Sequence, residues 1–394
     1  MADLVFLCPQ ERDREAVRHA SAGSRDVVFV GEDLDTADEV DLDAIVRACA
    51  THQPRGVVGT KDRSALLAAL VCARLGLAGP SPRAVINCQH KLWSREIQRR
   101  VVPEATPYFG AVGADDVPAF PFFAKPVVGR LSDSAMPIQT PSDLGQLDHD
   151  RPYARGYEAI AVSAGVSAGQ CSGFIAEEIL EGDEVTLEGF VHDGHVTVVG
   201  ITDSINYEAT GSFERFDYPT ALGDSRRREL SAVARRLLPA IGFDGGFFNI
   251  EFFVPAVGAA KIVEVNGRIA SQFSALLELT HGYSSYDALM SLAVGERPGW
   301  PTVEPTGFAL SYCLRVFEDA HVDSVPRRDS DVEFLVEPGS RLSEQGTNDA
   351  ESYRLCIFVE SGVDRAATIA AARARAAGLL SGFRLSPPRS PATG

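Results

Sequence analysis

The chain has no apolar run approaching the ~20 residues that cross a bilayer, no Lys/Arg-rich run, no Cys-x-x-Cys pair and no Gly-x-Gly-x-x-Gly after its first apolar segment. Each absence removes a class of function. Without a long apolar run, no membrane span is expected. Without a basic run, and with a formal net charge of −17, neither nucleic acid nor an anionic membrane surface is the expected partner. The seven cysteines (Cys8, Cys49, Cys72, Cys88, Cys171, Cys313, Cys356) are scattered and odd in number, which indicates neither a disulfide framework nor a zinc site. They read as buried thiols in a reducing cytoplasm. The missing glycine fingerprint disfavours a dinucleotide fold of the dehydrogenase kind. There is no Gly-x-Ser-x-Gly and no obvious Cys/His pairing, so no side-chain nucleophile is expected. The opening MADLVFLCPQERDRE lacks a basic region and a long apolar core and reads as a first β-strand, not a signal peptide.

What is present fits a soluble globular chain. With 394 residues, 45% of them hydrophobic and 23% charged, two or three domains of ordinary size are expected. Up to about residue 85, short apolar runs at Leu4 to Cys8, Val27 to Val30 and Gly56 to Gly59 alternate with helical periodicity at Asp41 to Thr51 and Asp62 to Leu75. Gly76 is placed to end the second helix. This pattern predicts a small α/β unit with a parallel sheet. A helix containing Lys91 follows, then a strand FPFFAKPVVG with Lys125 at its end. Residues 156–173, rich in Ala, Gly and Ser, read as a flexible loop or a poorly packed helix. Three strands follow, separated by turns at Glu181-Gly182-Asp183 and His192-Asp193-Gly194, and then a helix from about Ser225 to Ile241 with Asp224 or Ser225 as N-cap. Two helical pieces lie between Ser271 and Pro298. Strands and a helix at Ala366 to Leu380 make a small C-terminal domain, and the final SPPRSPATG reads as a frayed end.

The most informative stretch is Gly246 to Arg268. FFNIEFFV and AKIVEVN flank a turn at Pro255 to Ala259 and read as an antiparallel hairpin. Symmetric closure sets Glu251 opposite Glu264 and Asn249 opposite Asn266, with Arg268 on the same face. Phe248, Ile250, Phe252, Val254, Val263 and Val265 make the other, core-facing side, which fixes the register. Apposed carboxylates repel and call for a cation. Two carboxylates and amide oxygens are hard ligands suited to Mg²⁺, and Arg268 is placed to reach a phosphate or carboxylate.

Three pieces together, FFAKPV around Lys125, EEILEGDE from Glu177 to Glu184, and NIEFF…VEVNGR from Asn249 to Arg268, resemble the ATP-grasp superfamily of ADP-forming carboxylate–amine ligases, in the branch that includes biotin carboxylase and the amino-acid ligases. They span most of residues 86 to 300. The resemblance implies an α/β and α+β chain with the ATP-grasp fold: an N-terminal parallel α/β domain (1–87), a two-lobed ATP-binding domain (88–303, lid lobe about 115–180) and a small C-terminal α+β domain (304–394). It further implies ATP and Mg²⁺, or Mn²⁺ in its place, as cofactors. Lys125 and Lys91 match the phosphate-binding lysines, and Glu177, Glu178, Ile179 and Leu180 the hinge that reads adenine. Glu184 stands for the ribose contact, Glu251, Glu264 and Asn266 for the metal ligands, and Arg268, with Lys125, for the catalytic group. Only one of the adjacent Glu177 and Glu178 can face inward on a strand.

Two departures stand out. The phosphate loop after Lys125 is Gly129-Arg130-Leu131-Ser132-Asp133-Ser134, with one glycine and an acid, so Arg130 shares in the phosphate contacts. Asn266-Gly267-Arg268 replaces the usual Asn-Pro-Arg. The implied reaction is amide formation between a small-molecule carboxylate and an amine, with residues 129–134 and 163–173 as lid candidates and Ser271, Gln272 and His281 as acceptor contacts. A homodimer is compatible with the family. The alternatives are a biotin-carboxylase-like enzyme, although the chain has no Ala-Met-Lys-Met sequence, a purine-biosynthetic ligase, a nucleotide binder without catalysis, and a kinase-type phosphotransferase.

Overall fold

A computed structural model describes residues 2–20, 25–31, 40–129, 134–301, 304–345 and 352–387. Arg130, Leu131, Ser132 and Asp133 of the expected phosphate loop, and 388–394 of the terminal run, lie outside these residues. The chain divides into two compact units, one of residues 1–201, 222–274 and 283–301, the other of 202–221, 275–282 and 302–394.

The first unit opens with a three-stranded parallel sheet, order β2-β1-β3, of β1 (Leu4–Leu7), β2 (Val27–Val30) and β3 (Gly56–Gly59). Every residue of β1 is buried, as a parallel strand covered on both faces requires. Helices α1 (Glu11–His19), α2 (Leu42–Thr51) and α3 (Asp62–Leu75) accompany it. Gly76 ends α3 at φ +68°, a left-handed position that costs glycine nothing. Helices α4 (Pro82–Gln89) and α5 (Lys91–Val101) break at His90, whose extended backbone and Nδ1, accepting from the Trp93 N–H at 3.3 Å, cap α5. Lys91 is therefore the first residue of its helix.

A four-stranded antiparallel sheet follows, order β4-β7-β5-β6, from β4 (Phe109–Ala111), β5 (Phe122–Pro126), β6 (Met136–Ile138) and β7 (Phe174–Glu177). The Ala/Gly/Ser-rich segment departs from expectation in its first part. Residues Pro152–Ala161 form α6, with Tyr157, Ile160 and Ala161 buried. Small residues there permit close approach: a Cβ on Gly156 would lie 3.0 Å from the Arg63 guanidinium.

β8 (Asp183–His192) and β9 (His195–Asn206) come next; β10 (Phe213–Tyr218) belongs to the second unit. Helix α7 (Asp224–Ile241) begins one residue earlier than expected, with Gly223 as N-cap and Asp224 in the first turn, where its charge suits the helix dipole. With β11 (Gly246–Val254) and β12 (Lys261–Asn266), the first unit's second antiparallel sheet has the order β12-β11-β8-β9. The two expected helical pieces are α8 (Ser274–His281) and α9 (Ser285–Ala293). In the second unit, the end of β9 and β10 continue through β13 (Phe308–Val316), with β14 (His321–Ser324), β15 (Val332–Phe334), β16 (Tyr353–Gly362), α10 (Arg365–Gly382) and β17 (Arg384–Ser386) completing it. Leu310, Val322, Leu355 and Phe358 form its core. Among the described residues, no helix is long and apolar enough to cross a membrane.

A candidate nucleotide and metal site

The β11–β12 hairpin pairs Asn249 with Asn266, Ile250 with Val265 and Glu251 with Glu264. Toward the turn the register shifts, and Phe252 faces Ile262. Val263 is the extra residue of a β-bulge. Ile262 is consequently the residue buried in the core, at 0% exposure, while Val263, expected there, is only half-buried. Phe248, Ile250, Phe252, Val254 and Val265 are buried as the alternation predicts.

β8 extends this hairpin. Glu188 lies opposite Asn249, Thr186 opposite Glu251 and Glu184 opposite Phe253. Cross-strand partners share a face, so two rows of polar side chains cross three strands: Glu188–Asn249–Asn266 and Thr186–Glu251–Glu264. Burial first, then the nearby Glu264 and Glu184, push the Glu251 carboxyl well above the usual carboxylate range. The site is over-supplied with carboxylates, and they are only partly open to solvent.

Cations answer them from other elements. Lys91 Nζ lies 2.9 Å from Glu264 Oε1. Arg268 Nε donates to Asp62 Oδ1 at 2.6 Å, at the start of α3. Burial works against the Arg268 charge, but Asp62, Glu264 and Glu251 outweigh it and hold the guanidinium firmly protonated. Asn249 Nδ2 donates to the Arg268 carbonyl at 3.1 Å, and Asn249 Oδ1 accepts from Asn266 Nδ2 at 2.9 Å. Asn266 Nδ2 also approaches Glu251 Oε1 at 3.4 Å, so its Oδ1, the atom able to ligate a cation, is not the one spent on these bonds. A Cβ on Gly267 would stand 2.9 Å from the Phe243 ring, a close contact that accounts for glycine between Asn266 and Arg268.

A second cluster forms where β5, β7 and α5 meet. Lys125 Nζ lies 2.8 Å from Glu177 Oε2, and Arg95 Nε donates to Glu177 Oε1 at 2.7 Å. Burial opposes ionisation of Glu177, yet Arg95 and Lys125 together hold its carboxyl down at about 2. Arg95 also donates to the carbonyls of Ile262 and Val263, at 2.9 and 2.8 Å, and to Gln98 Oε1 at 2.7 Å. Of the adjacent acids, Glu177 is the buried one. Glu178 turns outward and exchanges two hydrogen bonds with Tyr108, its N–H donating to the carbonyl at 2.9 Å and its carboxylate accepting from the N–H at 3.0 Å. Ile179 is 44% exposed and Leu180 half-buried, leaving an apolar edge beside the chain reversal. Gly182 makes that reversal at φ +127°, with Val254 O only 2.5 Å from where a Cβ would stand. Burial pushes Glu184 up to about 7, with Lys125 pulling the other way.

Lys91, Lys125, Glu177, Glu184, Glu251, Glu264, Asn266 and Arg268 thus all lie in the first unit, linked by the contacts above. His281 lies in the second unit, with Nε2 2.6 Å from the Tyr218 hydroxyl, as the last residue of α8. Ser271 and Gln272 form a short turn of helix after Arg268. Sequence reasoning missed three residues. Arg95 follows Lys91 by one helical turn, a spacing that marks a shared face. Glu188 continues the outward alternation Glu184-Thr186-Glu188 beside inward Val185 and Leu187. Asp62 had no local signal. Glu188 is 2% exposed; its Oε1 accepts from the Ala270 N–H at 3.1 Å and its Oε2 has no partner among the described residues. Burial pushes its carboxyl up to about 8, moderated by that N–H and by Arg268.

Among the described residues, no three His, Cys, Asp or Glu side chains converge as a ready-made metal cage. Glu251, Glu264 and the Asn266 amide instead fit Mg²⁺, which takes one or two carboxylates and completes its shell with water and phosphate oxygens. Lys91 already places a positive charge on Glu264.

Residues 118–275 match the ATP-grasp domain family. Comparison by sequence with curated proteins finds no match. Among solved structures, an L-amino acid ligase from Bacillus licheniformis superposes with a TM-score of 0.76 at 17% identity, over 99% of this chain and 99% of its own. A phosphoribosylglycinamide synthetase from Anaerococcus prevotii gives 0.68 at 14%, over 98% and 99%. A biotin carboxylase from Campylobacter jejuni, in complex with β-γ-ATP, gives 0.67 at 15%, over 98% and 92%. At these identities the likeness is one of fold.

Proposed function

We propose that this chain, which carries an ATP-grasp domain within an ATP-grasp fold, is an ATP-dependent ligase joining a small-molecule carboxylate to an amine through an acyl phosphate, with release of ADP and phosphate. The observation that carries this reading is the convergence of Glu251, Glu264, Asn266, Arg268 and Lys91 around one face of the β12-β11-β8 strands. A simple nucleotide binder has no need of apposed, half-buried carboxylates beside an arginine.

Glu251, Glu264 and Asn266 are the residues that would hold Mg²⁺, or Mn²⁺, and a bound ion would screen the negative charge of the β- and γ-phosphates. Lys125, steadied by Glu177, is the fixed phosphate contact, and Lys91 exchanges Glu264 for a phosphate oxygen. The apolar edge at Ile179 and Leu180 and the hinge backbone receive the adenine, with Glu184 toward the ribose. A substrate carboxylate oxygen attacks the γ-phosphorus in line, a P–O bond forms and the bond to ADP breaks. Arg268, aimed by Asp62, offsets charge on the transferring group. The amine nitrogen then attacks the acyl carbon; the C–N bond forms, phosphate leaves with the C–O bond, and the nitrogen sheds its proton. The chain itself supplies no covalent nucleophile.

The test is ADP and phosphate release from Mg²⁺-ATP across pooled carboxylates and amines, with hydroxylamine as surrogate amine and mass spectrometry of products. Carboxylate-dependent ADP with a hydroxamate supports the ligase. ADP formed with bicarbonate alone, AMP, or a stable phosphorylated product overturns it.

A further inference from the structure

Among the described residues, Glu188 is the site-face carboxylate that the proposed reaction leaves without a task. It occupies the row of Asn249 and Asn266, one row from the Glu251–Glu264 pair, and Oε1 is committed to the Ala270 N–H. Oε2 is buried and unpartnered among the described residues. Buried polar atoms are satisfied in the great majority of cases, so an exception at a site points to a missing ligand. A glutamine would serve Ala270 equally well through its carbonyl; only the second oxygen and the charge distinguish the acid. The cation acting on it, Arg268, is already held by Asp62 at 2.6 Å. Its row and its bond to Ala270 set it apart from the metal pair.

We propose that Glu188 receives an alkylammonium group of a substrate. This rests on the ligase reading and deepens it: Arg268 is a fixed cation, and Glu188, buried with an unpartnered oxygen, ionises on meeting an ammonium, so the two together complement a zwitterion whose carboxylate turns toward Arg268. The substrate class is then amino acids or amino-acid-like compounds. The ammonium has two sources, the α-ammonium of the carboxylate donor or the incoming amine before it loses its proton. Both need the same carboxylate.

The experiment uses the full chain with Mg²⁺-ATP and compares wild type with Glu188→Gln. In the donor arm, hydroxylamine traps the acyl phosphate formed from alanine or from propionate, which lacks the ammonium. In the acceptor arm, the donor is fixed and glycinamide is titrated. A rise in KM of about thirtyfold or more for alanine, with propionate and ATP affinity unchanged, assigns the donor's ammonium. The same rise for glycinamide alone assigns the acceptor's. An equal change for alanine and propionate with glycinamide unaffected, no change in any KM, or a shifted Mg²⁺ requirement, overturns the proposal. If Glu188→Gln does not fold, Glu188→Asp, which retains the charge but withdraws it by one methylene, is read by the same comparison. If wild type forms no hydroxamate at all, the ligase reading fails separately, and thermal protection by alanine against propionate in the presence of ATP still decides the role of Glu188.

Discussion

Replacing Arg95 by methionine removes a guanidinium that is 2% exposed and donates to four acceptors, Glu177 Oε1, Gln98 Oε1 and the Ile262 and Val263 carbonyls. The chief loss is the partner of a buried charge. The Glu177 carboxyl lies at about 2 against an ordinary 4.5, so its cations outweigh the burial that opposes its charge, and that net gap converts to roughly 3 kcal/mol. Leaving Glu177 to Lys125 alone and removing a donor from two carbonyls brings the expected cost of Arg95→Met to about 3–5 kcal/mol. Glu177→Gln leaves the Arg95 charge uncompensated at comparable cost. The double variant strands neither charge, so its cost falls short of the summed single costs by at least about 2 kcal/mol. Urea denaturation followed by tryptophan fluorescence measures this, because the chain's two tryptophans, Trp93 and Trp300, both report on the first unit. Additivity of the single costs within about 0.5 kcal/mol would refute the reasoning.

Glu251→Gln should abolish Mg²⁺-dependent turnover and yet raise the stability of the ligand-free protein at pH 8 by about 1–3 kcal/mol, since it removes a carboxylate whose ionisation burial and Glu264 oppose; a less stable variant in urea would contradict this. Lys125→Ala should raise the Kd for ATP about tenfold or more, whereas Arg268→Lys should lower kcat by about a hundredfold or more with little change in ATP affinity, because lysine cannot reproduce the guanidinium fork; titration calorimetry alongside steady-state kinetics separates the two. The Glu177 contribution has a depressed folded-state pKa, so it is present above about 4.5 and is lost as pH falls toward about 2; the acid limb of a stability–pH profile should therefore be shallower in Glu177→Gln than in wild type.

How far the fold can be read in the sequence varies with the range of the forces involved. β2, β3 and α3 have the expected bounds because each is a contiguous apolar or periodic run closed by local signals, Gly76 among them. The Glu251–Glu264 pairing was expected from alternation alone, yet it depends on an irregularity: regular closure about the turn, as Phe252 opposite Ile262 has it, would set Glu251 opposite Val263, and the one-residue bulge brings Glu264 across instead. The bulge itself was not legible: Ile262 and Val263 are both apolar and β-branched, and nothing local says which faces the core. Arg95 and Asp62 act across 82 and 206 residues of chain, which no local pattern encodes. Glu188 was hidden for a related reason. Its outward position was readable along β8, but its place beside Asn249 required the register between β8 and β11. In residues 156–161 composition misled, because small residues that suggest a loose segment are the ones that let a helix pack against Arg63.

Successive carbonyls of a regular strand point to opposite sides, but around the extra residue in β12 those of Ile262 and Val263 both reach the Arg95 guanidinium. Irregular strand and buried arginine are therefore two halves of one device. Shortening the strand by Val263 would keep Glu264 and Ile262 on their present faces but leave a guanidinium with fewer acceptors, while losing the arginine would leave a kink with nothing to bind it. Substitutions at the two places should accordingly be tolerated together and rejected singly, so related chains with a straight β12 are expected to carry an uncharged residue where this one has Arg95.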